Sequence, residues 1–499
     1  MTIAIKNYAD GKFRDVQATQ FIDVINPATK KHLAKTPFSS PEEARAVIAS
    51  AHNAFEGWKN TPVANRIQYF FKLKDLLEEH FDELSESVVN EHGKILIEAQ
   101  GEIRRAIQMV ETACGMPYML IGECKDDVAA GIDCTSQRRA LGVSAVIAPF
   151  NFPAMVPFWF WPFAVAAGNT CVIKPSELVP VTQMKMFELI GKAGFPAGVV
   201  NMVHGAKDVV DVLLTDPRVK TVSFVGSTPV AKYIYSTGTA HGKRVQALGG
   251  AKNSIVLLPD APLEKSVRAM LDSCLGCAGE RCLAGSLMTA IGDETYEKMK
   301  DLTVRYAKEV VTGYGMDKNV TMGPVITDAA KKRILNDIET AIKEGAKLIL
   351  DGRNVKVPGG HDGHFIGPTI FEDVKPGTLL ATKEIFGPVI GLMKMNTLDE
   401  AIEFINGSNY ANTTSIFTSN GPAARYFCSK VHPSMIGVNL GVPAPMSFFS
   451  FGGSKDSFFG DAKAHGSSCI EFFTEKHISM IRWFGDGMQD VVSPHWSGK

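Results

Sequence analysis

The 499-residue sequence has little that would place it in a specialised class. Nine cysteines are too few for a disulfide scaffold in so long a chain, and their number is odd, so free thiols in a reducing compartment are expected. No apolar stretch opens the chain: it begins MTIAIKNYADGKF, without the charged, Ser-rich character of a transit peptide. No run reaches the ~20 apolar residues of a membrane span. The most apolar stretch, 152–167, is broken by Pro153, Pro157 and Pro162 and reads as a buried, turn-rich core segment. Charge of one sign is also missing: 52 Lys+Arg balance 53 Asp+Glu, which leaves no basic excess for nucleic acid. Fixed-period repeats, low-complexity tracts and a Gly-x-Gly-x-x-Gly fingerprint are absent, and GTAHGK at 238–243 lacks the Ser or Thr of a P-loop because Arg244 follows.

What is present is ordinary globular composition, 45% hydrophobic and 21% charged, enough for two to four domains at ~100–200 residues each. The first 120 residues look helical, with Ser39-Ser40 capping a helix that opens at Pro41, one long amphipathic helix over 67–89 and another over 97–114. From Leu141 short β-branched runs alternate with helical patterns. Strands are expected at 143–147, 170–173, 199–203, 221–225 and 254–258, then at 286–291, 346–350, 390–394, 414–418 and 435–438. Helices are expected at 294–311 and 329–344. This alternation predicts an α/β protein with two parallel-sheet, Rossmann-like domains. A Gly- and Phe-rich tail at 448–460 and a late strand at 469–474 end the pattern.

Four places carry chemistry. In GCAGERCLAG (276–285), Cys282 follows Arg281 among small residues; an adjacent guanidinium favours the nucleophilic thiolate. An isolated cysteine is more often an inert small hydrophobe. Cys274 and Cys277 read as helix-face packing, and His361 and His364 as a solvated turn, so no metal site is expected. Asn151 follows a strand among aromatic and proline residues and needs a partner, backbone or ligand. Lys174 ends a strand with Glu177 just beyond, where ligands bind in α/β sheets; the two residues either bracket ribose hydroxyls or form a surface ion pair. Gly226-Ser227 opens a helix after another strand, either against a pyrophosphate or as a plain turn.

Together PFNFP, KPSE, FVGS, the Arg281-Cys282 block and EIFGP (384–388) resemble the aldehyde dehydrogenase superfamily, over about 26–473. The resemblance implies an NAD-binding domain (1–118 and 140–250), a catalytic domain (251–446) and a small β oligomerisation arm (119–139 and 464–485). It implies that Cys282 is the nucleophile and Asn151 the oxyanion donor, working with the Cys282 N–H. It also implies that Phe150, Lys174, Glu177, Gly226, Ser227, Glu384 and Phe386 contact NAD. Glu177 favours NAD over NADP by repelling a 2′-phosphate. One position departs: Ala247 stands where hydrolytic members carry a Glu that activates water, a loss of roughly 10²–10⁴-fold for deacylation by water.

APFNFPAMVP, MVHG, SFVGS, GAKN and FSFGGS…FFGD are similar to the CoA-acylating methylmalonate-semialdehyde dehydrogenases. That branch often carries an Asn near 247–248, which this chain does not. The likeness implies coenzyme A as acyl acceptor, Arg105 and Arg281 as partners of a substrate carboxylate, and a cytoplasmic homotetramer. Arg105 also reads as a helix surface charge, since Arg104 adjoins it. Two other readings stay open here. One is a hydrolytic enzyme with another base, told apart by a free-acid product. The other is a catalytically dead binding protein, told apart by the absence of NADH formation.

Overall fold

The computed structural model describes residues 3–129 and 131–483. Residues 484–485 of the expected arm therefore lie outside the described residues, as does residue 130.

Two large sheets organise the chain, with three smaller ones of two or three strands beside them among the described residues. In the first, Arg244–Leu248, Val219–Val225, Val143–Ile147, Thr170–Lys174 and Val200–Met202 lie side by side and parallel. Phe458–Phe459 closes one edge antiparallel, and Asn7–Ala9 with Lys12–Arg14 close the other. The central strands are buried on both faces, which explains their unbroken apolar runs. Strand order reverses beside Val143–Ile147: Thr170–Lys174 follows on one side and Val219–Val225 on the other. A crevice at the carboxyl ends of such strands is where α/β sheets bind ligands.

The second sheet orders Lys347–Leu350, Thr369–Glu372, Val389–Met395, Gly285–Ile291, Asn253–Leu257, Thr413–Phe417 and Met435–Val438, all parallel except the first. A small antiparallel sheet joins Glu123–Ala129, Ile132–Ala140 and Thr474–Arg482. No helix among the described residues is long and apolar enough to cross a membrane. All nine cysteines are free.

The ten expected strands form within one or two residues of their places. Ser40 caps Pro41–Lys59: its Oγ accepts from Glu43 N at 3.2 Å, and Glu43 Oε2 accepts from Ser40 N at 2.8 Å. Three expectations fail. The chain before residue 38 is strand, not helix, in pieces of two to six residues too brief to show an alternation. The helix expected over 67–89 breaks at His80 into Val63–Glu79 and Phe81–His92. Both pieces pack on Leu96–Cys114, so the apolar stripe continues across the break. The strand expected at 469–474 is the helix Gly466–Phe473, which buries Cys469, Ile470, Phe472 and Phe473 at helical spacing; the strand begins at Thr474.

Candidate active site

Cys282 sits on a loop held from several sides. Helix Leu263–Leu275 ends at Gly276, and a tight turn, Gly276–Gly279, puts Cys277 and Ala278 at positive φ of 51° and 53°. The Cys282 carbonyl accepts Asn253 Nδ2 at 2.9 Å and Asn412 Nδ2 at 2.8 Å, each side chain reaching in from the start of a strand of the second sheet. Asn151 follows Val143–Ile147 of the first sheet. Its buried Nδ2 donates to the Glu280 carbonyl at 3.0 Å and stands 3.7 Å from Cys282 Sγ. The switch point of one sheet thus meets the thiol loop of the other. The partner expected for Asn151 is backbone, and the thiol lies beside the same amide.

Arg281 does not do what its position suggested. Its guanidinium turns away from Cys282, donating to Cys277 Sγ at 3.2 Å and to Glu98 at 3.0 Å. Cys277 therefore lies in the turn as an acceptor for Arg281, not on a helix face as expected. Burial first, then the Glu384 carboxylate, push the Cys282 thiol up to about 11, against the smaller opposing pull of Asn151. Alkylation of the free protein by iodoacetamide, read by peptide mapping, should rise roughly tenfold per pH unit at Cys282 well past pH 9. Exposed Cys124 and Cys428 should react first at pH 8. A Cys282 rate that is fastest at pH 7 and level above it would contradict this.

Cys282 opens into a cavity of about 370 Å³ that Arg105, Arg281, Phe152, Trp159 and Phe451 also line. The two arginines differ. Arg281 is already paired with Glu98. Arg105, half-buried on Leu96–Cys114, has only long contacts at 3.3–3.4 Å to Gln108 Oε1, Met446 Sδ and the Ala444 carbonyl. Among the described residues no carboxylate pairs with it, whereas the neighbouring Arg104 is paired with Glu78 at the surface. With no carboxylate beside it, the Arg105 guanidinium faces the thiol's cavity as an unneutralised cation, its pKa lowered by burial. Trp159, Glu98 and the buried His465 also line it. No motif marks them: the first sits in an apolar core stretch, the others in a helix and a tail.

At the carboxyl ends of the first sheet, Lys174 pairs in register with Ile147, and Ile147 with Phe224. Lys174 is buried, and the ion pair it forms with Glu177 is part-buried and not a surface one. Its Nζ donates to the Pro175 and Gly205 carbonyls at 2.8 and 2.9 Å and to Glu177 at 3.1 Å. Ser227 caps Thr228–Ala240, yet its hydroxyl makes no capping bond. Gly226 N donates to the Leu248 carbonyl at 3.0 Å. Glu384 Oε2 lies 2.5 Å from where a Cβ on Gly250 would be, so a larger residue there would push the carboxylate aside. Burial raises the Glu384 carboxyl to about 7. Phe386 adopts φ 55° and meets Phe150 edge-on at 5.9 Å. A basic and acidic pair at a strand end, a free helix N-cap and a glycine-lined floor fit a dinucleotide. Ala247 is fully buried on Arg244–Leu248 and offers no proton acceptor; Gln246 beside it donates to Ser223 Oγ at 2.8 Å. Among the described residues no group of three or more His, Cys, Asp or Glu is placed to hold a metal ion.

The sequence pattern of the aldehyde dehydrogenase family matches residues 13–478. Malonate-semialdehyde dehydrogenase 1 of Geobacillus thermodenitrificans is 46% identical over 479 residues, 96% of this chain and 99% of that one. The crystal structure of methylmalonate-semialdehyde dehydrogenase from Oceanimonas doudoroffii superposes with a TM-score of 0.95 at 41% identity, covering 98% of this chain and 99% of that one. A Sinorhizobium meliloti 1021 protein crystallised in complex with NAD gives a TM-score of 0.95 at 38% identity, covering 97% and 99%. The chain belongs to the aldehyde dehydrogenase family.

Proposed function

We propose that the chain is an NAD-dependent, CoA-acylating oxidoreductase of malonate or methylmalonate semialdehyde, releasing CO₂ and giving acetyl-CoA or propionyl-CoA. The observation that carries this reading is one cavity lined by both Cys282 and the unneutralised Arg105. An aldehyde carrying a carboxylate suits that pair. The relatives' names agree with it, as does the NAD in the Sinorhizobium structure.

The Cys282 thiolate adds to the aldehyde carbon. The oxyanion formed is held by Asn151 Nδ2 and the Cys282 N–H, a contribution of roughly 10²–10³-fold per donor. Lys174, Glu177, Gly226, Ser227, Glu384, Phe386 and Phe150 would hold NAD⁺, which would supply a positive charge favouring the thiolate and an acceptor for the hydride. Cys282 is left acylated as a thioester. The substrate carboxylate, β to that thioester carbonyl, leaves as CO₂. The electrons of the broken C–C bond pass to the carbonyl as an enolate, which is protonated at carbon. Water gains no base from the Ala247 methyl, whereas the coenzyme A thiol is the better nucleophile. It attacks the carbonyl, and Cys282 leaves as thiolate. Glu177 favours NAD over NADP.

The first sheet with its helices serves as the NAD-binding domain and the second as the catalytic domain. The small sheet, with Ile478, Met480 and Trp483 exposed, serves as the arm of a cytoplasmic homotetramer. The reading is tested by following NADH from malonate semialdehyde with and without coenzyme A. Turnover should require coenzyme A; equal rates without it would overturn the acylating assignment.

A further inference from the structure

We propose that the buried ion pair Lys94–Glu102 is the positioning device that sets the Asn151 amide against Cys282. The proposal rests on the reading of Asn151 as the oxyanion donor.

Both side chains are wholly shielded from solvent, and Lys94 Nζ stands 2.6 Å from Glu102 Oε2. The remaining bonds of the pair converge on one loop. Lys94 Nζ donates to the Asn151 carbonyl at 2.8 Å and lies 4.0 Å from the centre of the Phe152 ring. Glu102 Oε1 accepts the Ala154 N–H at 2.8 Å and the Met155 N–H at 3.1 Å. The backbone is thus gripped at Asn151 by the cation and three residues later by the carboxylate. Held there, the Asn151 amide spans the Glu280 carbonyl and Cys282 Sγ.

The anchors themselves are fixed. Glu102 lies in the second turn of Leu96–Cys114. Lys94 follows Gly93, which ends Phe81–His92 at φ 96°; a Cβ there would meet Pro27 at 2.7 Å and Pro324 at 2.8 Å. Stability is a poor reason for such a pair, because well-packed apolar side chains commonly replace buried ion pairs at no cost. Placing a catalytic amide to within about 0.5 Å is a better one.

The test is a mutant cycle on Asn151→Ala and the charge-neutral double variant Lys94→Met/Glu102→Gln, in the full-length protein. Asn151→Ala should lower kcat by about 10²–10³-fold. The double variant should lower kcat by about tenfold or more with KM for the aldehyde unchanged within twofold. The triple variant should be no slower than Asn151→Ala, since a misplaced amide costs nothing once the amide is gone. If the double variant fails to unfold cooperatively, Lys94→Arg, which keeps the charge but not the length, carries the same comparison. A double variant at wild-type kcat, or losses that multiply in the triple variant, would overturn this proposal alone. Asn151→Ala at wild-type rate would overturn the oxyanion reading and the positioning role with it.

Discussion

Replacing Cys282 with alanine should remove NADH formation from malonate semialdehyde by roughly 10⁴–10⁶-fold, the range seen when a covalent nucleophile is deleted. Every intermediate between the aldehyde and the released acyl group is bound to its sulfur. The loop should survive, because Asn253 and Asn412 hold the Cys282 carbonyl and not the thiol. The variant should therefore unfold at nearly the wild-type temperature, and binding of NAD measured by fluorescence quenching should be preserved. NADH formation near the wild-type rate would exclude Cys282 as nucleophile.

Arg105→Gln should lower kcat/KM for malonate semialdehyde by about 10²–10³-fold, since losing one partner of a desolvated charge pair costs about 2–5 kcal/mol. With propanal, which has no carboxylate, the change should be within a few-fold. Arg281→Gln should behave differently. Its guanidinium already belongs to Glu98 and Cys277, and removing it strands Glu98 beside the thiol loop. Its loss should fall on both aldehydes alike and be accompanied by a lower unfolding temperature. Steady-state kinetics of the two variants on the two aldehydes separates the roles. Equal loss on both aldehydes for Arg105→Gln would remove it from carboxylate recognition.

Sequence reasoning reached the site through motifs whose neighbours are fixed by the chain itself. Asn151 and Gly226 follow, and Lys174 ends, strands whose unbroken apolar runs could be read directly, so their place at the carboxyl ends of one sheet followed from the βαβ pattern. Arg281 and Cys282 are adjacent in sequence, and that adjacency misled: the tight turn at Cys277 and Ala278 swings the guanidinium toward Glu98, about 180 residues away along the chain. Lys94, in the connection between two helices, and Glu102, on the second of them, gave no signal because charged residues there read as surface charge until their burial is known. The break at His80 and the helix at Gly466–Phe473 were hidden for a related reason. Packing against a shared partner preserves an apolar stripe across a kink, and four apolar residues fit either period.

In the proposed reaction coenzyme A, not water, releases the acyl group, because Ala247 leaves water without a base. The most direct measurement is mass spectrometry of the product formed from malonate semialdehyde, NAD and coenzyme A in H₂¹⁸O. Acetyl-CoA with no ¹⁸O-labelled free acid is expected. A free acid carrying ¹⁸O, formed as fast as NADH, would contradict it.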